Sequence, residues 1–491
     1  MTIRLSKSKL IAFRQCPKRM WLEIHRPNLR VDDDSAQRRF DAGYRIGELA
    51  QTQYPDGILI APDNNLTLAL MQTKELSETS PRKVLFEATF QAEGILVRAD
   101  LLIPTQAGWH MVEVKSATQV KDYHLEDAAI QSWVAKKAGV TLTNTSLQVV
   151  DSKWTYPGGN QYSGLLKMQS VDAAISPLQA EVPKWLAAAQ KTAGATEPAV
   201  KTGKHCHKPF ACGFHDYCDS FNAPIQFPIS LLPNLHHTKK AKYEAAGFLD
   251  LRKIPIEDLS AKQRKVLHAT INNEVFFEPL TAAEKMPLAG TRYYLDFETI
   301  AFTVPIWEGT RPYQQVPFQW SCHIEQPDGA LTHEMFLDLT GDDPSRAFAE
   351  SMIRTLGTTG PIIVYNQAFE KARITDLAKR FADLAPTLMP LLSRVVDLLP
   401  LANTHYYHPN MQGSWSIKAV LPAIAPELDY ANLEDVAGGT AAQDAYLEAI
   451  QPNTTSERKA KLENALRVYC HRDTEAMVRL LHFLCQTESN L

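Results

Sequence analysis

Two carboxylates stand one residue apart in Tyr294-Leu295-Asp296-Phe297-Glu298-Thr299. On a strand, side chains at i and i+2 leave the same face of the sheet, so Asp296 and Glu298 are held side by side. Like charges so placed repel, and a divalent cation with a taste for hard carboxylate oxygens, such as Mg²⁺, removes the repulsion. The alternative is an exposed strand end where both acids are solvated. Further along, the apolar run Ile362-Ile363-Val364-Tyr365 leads through Asn366-Gln367-Ala368-Phe369-Glu370 into a helix with an acid in its first turn. Tyr469-Cys470-His471-Arg472-Asp473 then falls on a long amphipathic helix, whose packed face carries Leu462, Leu466, Met477, Leu480 and Leu484. Tyr469 and Asp473 are i and i+4 and share a face.

In this order, Asp-x-Glu, Asn-x-x-Phe-acid and Tyr-x-x-x-Asp resemble the DEDD (DnaQ-like) 3′–5′ exonuclease superfamily, tyrosine subtype, over about residues 290–487. The resemblance implies a ribonuclease H-like fold and phosphodiester hydrolysis assisted by two Mg²⁺ or Mn²⁺ ions about 4 Å apart. It implies that Asp296 bridges both ions, Glu298 binds one, Asp473 completes the set and Tyr469 orients the attacking water. Glu370 stands where the family usually has Asp; its longer arm either reaches a metal or a metal-bound water, or detunes the site. Gly413-Ser414-Trp415-Ser416-Ile417-Lys418 resembles a segment that precedes the last family motif. It reads either as a substrate contact by Lys418, with Asn366 as a second, or as a helix start capped by Ser414 or Ser416. Asp397 is a further acid near these motifs that the family pattern does not require.

A second constellation lies upstream. Asp100 ends an apolar run, and Glu113-Val114-Lys115 follows thirteen residues later, which predicts neighbouring strands of a hairpin. Glu113 and Lys115 face the same way. Two carboxylates and a lysine on one sheet face can hold Mg²⁺, position a water and offset charge on a phosphorane. They can also be a plain cross-strand ion pair. The spacing, within an α-β-β-β-α-β order, resembles the PD-(D/E)XK nuclease superfamily, RecB-like branch. That resemblance adds Glu87 as a further metal acid and Gln131 as a substrate-contacting glutamine on the following helix. Two family positions differ: Gly47 stands where a histidine is usual, and Ala135 where a tyrosine is usual.

Cys206, Cys212 and Cys218 form a compact triplet, separated from Cys16 by the whole of this predicted core. Four thiolates can ligate a [4Fe–4S] cluster or a tetrahedral Zn²⁺. The spacings lack the Cys-x-x-Cys knuckles usual at zinc, and one cysteine before a nuclease core with three after it resembles the iron–sulfur nucleases. A cluster here would be structural. His205, His207 and His215 read as surface or supporting groups, and Cys322, Cys470 and Cys485 as small buried residues.

The elements that must position these residues follow from periodicity. A helix is expected over about 36–53, strands near 83–91, 95–103 and 109–114, a helix over about 125–138 and a strand at 147–150. The downstream part predicts strands at 292–297, 316–324, 331–337 and 362–365 with helices following, an α/β domain on a mixed sheet. Pro/Gly/Asn-rich stretches divide the 491 residues into 1–221, a helical connector at 222–287 and a domain at 288–491. The connector loosely resembles helical hairpins that grip nucleic-acid backbones, with Lys239, Lys240 and Lys242 for phosphates, or it is a plain linker. Composition is that of an ordinary globular chain, 45% hydrophobic and 22% charged, with net charge -4. Any nucleic-acid surface must therefore be local, and Arg4, Lys7, Lys9, Arg14, Lys18, Arg19, Arg26 and Arg30 supply either one candidate or a solvated helix face. There is no apolar leader and no run of 18 apolar residues, which predicts a cytoplasmic protein without a membrane span.

The whole chain resembles a bacterial family of unknown function that joins an iron–sulfur RecB-like domain to a DEDD-type domain. It implies a nuclease acting on DNA, with single strands or ends preferred. RNA stays open as a substrate, as does a binding protein with one or both sites inactive.

Overall fold

Every second side chain of Ile95-Leu96-Val97-Arg98-Ala99 is buried, the mark of a strand with one face on a core. In the computed structural model, which describes residues 4–32, 35–61, 65–433 and 436–486, this strand is central to the first of two units. That unit holds residues 1–223 and 302–314. Its elements are β1 (Leu5–Ser6), α1 (Lys7–Gln15), α2 (Pro17–His25), α3 (Ser35–Thr52), β2 (Ile58–Leu59), α4 (Leu66–Glu78), β3 (Leu85–Ala92), β4 (Ile95–Pro104), β5 (Trp109–Lys115), α5 (Asp122–Lys137), β6 (Leu142–Val150), β7 (Leu166–Ser170), α6 (Asp172–Ala193) and α7 (His215–Asp219). The sheet runs β2-β3-β4-β5-β6-β7, and β1 pairs in parallel with β4. β3, β4 and β5 are antiparallel neighbours, while β5 and β6 are parallel and need α5 as their crossover. One face of α5 enters the core through Ile130, Val134 and Ala135, packed with Leu85, Val97 and Met111. The same helix buries Asp127 and Gln131, i and i+4.

The expected strands and the helices at 36–53 and 125–138 are present, shifted by a few residues at their ends. The sequence reading did not foresee α4, α6 or β7. In α6, Pro177 and Pro183 lie inside the helix and mask it.

The second unit holds residues 224–301 and 315–491. Its elements are α8 (His237–Ala245), α9 (Ala261–Asn272), β8 (Phe276–Phe277), α10 (Ala282–Lys285), β9 (Arg292–Ala301), β10 (Gln315–Glu325), β11 (Leu331–Leu337), α11 (Ser345–Leu356), β12 (Ile362–Val364), α12 (Gln367–Arg380), α13 (Ala385–Leu391), β13 (Val395–Asp397), α14 (Leu398–His405), β14 (Tyr406–Tyr407), α15 (Ile417–Ile424), α16 (Gly439–Ala449) and α17 (Ser456–Cys485). A five-stranded sheet runs β11-β10-β9-β12-β13, its first three strands antiparallel and β9-β12-β13 parallel. The mixed α/β class is as expected. The connector at 222–287 is not set apart: α9 places Val266 and Ala269 in one core with Tyr294, Leu398, Tyr406 and Met477. α8 packs Tyr243 with Ile229, Leu251 and Leu259. The loop 302–314 between β9 and β10 belongs to the first unit, where the Tyr156 N–H donates to the Thr310 carbonyl at 2.9 Å. Among the described residues no helix is long and apolar enough to cross a membrane.

Candidate metal centres

β9 is rich in aromatic and β-branched residues and is paired on both sides, so its side chains are buried above and below the sheet. Its two acids, at i and i+2, face α17, a 30-residue helix capped by Thr455, whose hydroxyl accepts the Arg458 N–H at 3.2 Å. The helix is a good helix former outside its buried stripe of Leu462, Leu466, Met477 and Leu481, and it presents Asp473 to β9. One carboxylate oxygen from each of Asp296, Glu298 and Asp473 lies within 4.8 Å of the others. Glu370, in the first turn of α12, is 2% exposed, and its Oε2 has no hydrogen-bond partner. It is close enough to add to the repulsion on Asp296. α12 is itself held by Asp397, which accepts the N–H groups of Asn366 at 2.9 Å, Gln367 at 3.0 Å and Leu399 at 3.0 Å. Asp397 thus caps two helix starts. Asn366 takes a left-handed φ of +80° at that junction, a conformation asparagine tolerates better than most residues.

Burial and mutual repulsion make these acids reluctant to ionise. Burial first, then Asp473, raises Asp296 well above the usual carboxylate range. Burial pushes Glu298 up to about 8, with Asp473 adding to it. Glu370 is pushed up to about 8 and Asp473 to about 6, both mainly by burial. Tyr430, which the sequence does not flag, and Lys418 work the other way. The Tyr430 hydroxyl donates to Asp473 Oδ1 at 2.5 Å. Lys418 sits over the rings of Tyr469 and Tyr430 at 4.9 and 5.3 Å, donates to the Ala437 carbonyl at 3.0 Å and draws Glu298 and Asp473 toward the charged form. Ser416 is the N-cap of α15 but makes no side-chain cap hydrogen bond, so the segment places Lys418 beside the acids as well as starting a helix. Nothing local in the sequence flags Tyr430; only the tertiary fold brings it to Asp473.

The physical consequence is a pH-dependent stability. Between the ordinary carboxylate range and these raised values the fold retains protons that the unfolded chain releases. The contribution is therefore complete below about pH 4 and is lost as pH rises toward about 8. Denaturant unfolding of the metal-free protein at about pH 5 and about pH 8 is expected to show wild type losing several kcal/mol more than Glu298→Gln across that interval, and Mn²⁺ restoring wild type at the higher pH. Parallel profiles for the two proteins would mean that Glu298 ionises freely.

In the first unit, Glu87, Asp100 and Glu113 form a row across β3, β4 and β5. Phe86 pairs with Leu101 and Leu101 with Val112, so Glu87 lies opposite Asp100 and Asp100 opposite Glu113. Glu87 interrupts its ladder with a left-handed φ of +57°, a conformation costly for a residue with a long side chain. Asp100 accepts the Val114 N–H at 2.6 Å. Lys115 donates to Glu113 at 2.7 Å and to Asp127 at 2.6 Å. Lys7, the first residue of α1, reaches the same two acids at 2.9 and 3.1 Å. Lys7 and Asp127 were not anticipated. Burial first, then Glu113, raises Asp100 well above its usual range. Buried Oε2 of Glu113 lacks a partner in this row, and on α5 both side-chain polar atoms of buried Gln131 lack one too, but Gln131 does not line the cavity over the acids. A cavity over this row is walled by α3, where Gly43 and Gly47 leave open space.

The basic N-terminal segment is largely committed within the fold. Lys9 and Arg19 pair with Glu23, Arg14 with Glu126, Lys18 with Glu197 and Arg30 with Asp32. The segment forms the docked helices α1 and α2, and these cations each face an acid of the same unit. Lys240 likewise faces Glu244, at 3.8 Å, and Lys239 donates to the Asp258 carbonyl.

Cys16, at the start of α2, lines one small cavity with Cys206, Cys212 and Cys218. No three of these sulfurs lie within 4.8 Å of one another, among the described residues. Burial raises the thiols of Cys16 and Cys212 and pushes Cys218 up to about 11. The Gly203 N–H points to Cys206 Sγ at 3.4 Å. Cys322 and Cys470, in the second unit, are fully buried.

Residues 293–416 match a family model described as a domain of unknown function, DUF2779. The match takes in Asp296, Glu298 and Glu370 and stops short of Lys418, Tyr430, Tyr469 and Asp473. Among curated proteins, the chain is similar to an uncharacterized protein of Mycoplasma pneumoniae, 25% identical over 213 residues, which is 39% of this chain and 32% of that protein. An uncharacterized protein of Mycoplasma genitalium is 21% identical over 261 residues, 47% of this chain and 39% of its own. One from Ureaplasma parvum is 22% identical over 218 residues, 40% and 31% respectively. The matched region thus spans between about a third and two fifths of these relatives.

Proposed function

We propose that this protein is a metal-dependent nuclease that hydrolyses DNA phosphodiester bonds, with 3′–5′ exonuclease chemistry in the second unit and single strands or ends as its substrate. The observation that carries the reading is the trio of half-buried Asp296 with buried Glu298 and Asp473, one oxygen of each within 4.8 Å of the others. Acids held that close need cations, and an all-carboxylate set suits Mg²⁺ or Mn²⁺. The unpartnered oxygen of Glu370 fits the same need. Divalent ions bound there would polarise the scissile phosphate and make water a nucleophile near neutral pH. The chain's own groups would do the rest. Tyr469 and Tyr430 stay protonated, because burial and then Asp473 raise both phenols, so each can donate a hydrogen bond. Tyr469 would orient water, Tyr430 would fix Asp473, and Lys418 would offset charge gathering on the phosphate. The strand order β11-β10-β9-β12-β13 agrees with a ribonuclease H-like domain, and the row Glu87, Asp100, Glu113 with Lys115 agrees with a PD-(D/E)XK domain.

We further infer that the four cysteines hold a [4Fe–4S] cluster. The four line one cavity, and their spacing along the chain lacks the Cys-x-x-Cys pairs usual at zinc, which supports the cluster.

A second reading is that the first unit binds nucleic acid without cutting it. It is favoured by Lys7 and Lys115, which already neutralise Glu113 and Asp127, and by Gly47 in place of a histidine. The test is cleavage of end-labelled single- and double-stranded DNA and of RNA with Mg²⁺ or Mn²⁺, using anaerobically purified protein. Loss of cleavage in Asp473→Ala with retention in Lys115→Ala assigns the work to the second unit, and the reverse assigns it to the first. Binding without cleavage under every condition would overturn the nuclease reading.

A further inference from the structure

The sheet face that carries Asp296 carries a second cluster, built from nitrogen rather than oxygen. His323 on β10 pairs across the antiparallel ladder with His333 on β11, and His471 on α17 closes over both. One ring nitrogen from each lies within 4.8 Å of the others, and the ring centroids are 4.4 to 4.6 Å apart. Three imidazoles at that spacing cannot all carry charge. Burial first, then His333, lowers His323 to about 3, and burial with His471 lowers His333 to about 4, so these rings offer lone pairs at neutral pH.

The partners of the remaining nitrogens give the arrangement its direction. His323 Nδ1 is 2.8 Å from Thr474 Oγ1, and His333 Nε2 is 2.8 Å from Ser321 Oγ. Ser321 and Thr474 are themselves joined at 2.9 Å. His471 Nδ1 lies 3.8 Å from the Glu475 carboxylate. Metal-binding histidines are typically held as His323 and His333 are, with one nitrogen fixed by an oxygen partner and the other left for the ion. On that pattern Nε2 of His323 and Nδ1 of His333 would be donors, with one ring nitrogen of His471 as the third. His323 is buried while His333 and His471 are half-buried, so one side of the trio is open to solvent.

We propose that His323, His333 and His471 form a transition-metal site, separate from the carboxylate centre, that takes one Zn²⁺-class divalent ion and leaves a fourth position open to water. The donor set decides the class, because imidazole suits Zn²⁺, Cu²⁺, Ni²⁺ or Fe²⁺ and carboxylate suits Mg²⁺ or Mn²⁺. An ion there ties β10 and β11 to α17. Because Thr474 holds His323 and follows Asp473 in the chain, the ion would also steady the helix turn that presents Asp473. The site does not depend on the nuclease reading, and its test reads metal rather than activity.

The probe is Co²⁺, titrated anaerobically into chelator-treated full-length protein with excess Mg²⁺ to occupy the carboxylates. Expected is one equivalent bound, with the visible ligand-field absorption of a nitrogen-oxygen site and no sulfur-to-cobalt charge-transfer band. Asp296→Asn should keep that signal. His333→Gln and His471→Gln should each weaken binding by more than the roughly 10- to 100-fold that loss of an outer partner costs. Both replace partly exposed side chains, and circular dichroism checks that they fold. X-ray absorption of the Zn²⁺-loaded wild type should give nitrogen donors at about 2.0–2.1 Å with imidazole scattering. Unchanged Co²⁺ binding in either folded variant, no stoichiometric binding by wild type, or a zinc shell of sulfur or of oxygen alone would overturn the site and leave a neutral hydrogen-bonded cluster.

Discussion

Asp473→Asn is expected to lower DNA cleavage at least about a thousandfold, while the metal-free protein stays as stable as wild type or gains stability. The first half follows from the donor set. An amide keeps the shape of Asp473 and can still accept the Tyr430 hydrogen bond, but it brings no negative charge to an ion. Loss of a few kcal/mol of charge stabilisation in the transition state is worth about a factor of ten per 1.4 kcal/mol. The second half follows from the repulsion that the site stores without its ions. Asp473 is the strongest charged neighbour acting against both Asp296 and Glu298. Removing its charge relieves both, so stability and activity should move in opposite directions, as they do where a fold tolerates strain for function. Paired measurements of cleavage rate and of denaturation midpoint in chelator decide the matter. Activity within tenfold of wild type would sink the assignment of Asp473. Activity lost together with stability would make it a structural carboxylate.

What the sequence disclosed was set by how local each signal is. Asp296 and Glu298 were legible because a two-residue period on a strand is a local fact, and Tyr469 and Asp473 because i and i+4 on a helix is another. Asp100, Glu113 and Lys115 were legible for the same reason, through one hairpin. Lys7, Asp127 and Tyr430 were not. Lys7 reaches Glu113 across 106 residues and Tyr430 reaches Asp473 across 43, and no period encodes such meetings. The basic run at the N-terminus left two readings open, because its charges show in the sequence but their partners Glu23, Glu126 and Glu197 are supplied only by the fold. Helix α4 was missed where its apolar positions are diluted, and the two-residue strands β1 and β2 are too short to show a period.

Cys206→Ser is expected to bleach the protein and to destabilise the first unit by several kcal/mol, with the second unit's unfolding unchanged. The region around the cysteines has little core of its own. Trp21, Leu22 and Phe214 are its fully packed apolar residues, supported by Leu29, Tyr217 and the cysteines Cys212 and Cys218. Segments so poorly supplied with apolar contacts need a covalent or metal staple, and the free energy of binding the metal is then free energy of folding. A cluster on the four cysteines would join points far apart in the chain, Cys16 at one end and Cys206, Cys212 and Cys218 at the other, so its loss would release both ends together. It would also reach the acids. Cys16 caps α1 at its far end, with its N–H on the Ala12 carbonyl at 2.9 Å, and Lys7 begins that helix and holds Glu113 and Asp127. Fraying of α1 would therefore withdraw a cation from the first unit's row of acids. Limited proteolysis should then show cuts appearing within residues 4–32 and 195–222 before any in 315–485. Iron and sulfide analysis of wild type separates the two metals: a colourless protein carrying zinc would replace the cluster but keep the staple. A Cys206→Ser protein with wild-type stability and metal content would mean that the four thiols ligate nothing, and that α1 and α2 are held by their ion pairs and by the core packing of Leu10, Ala12 and Met20.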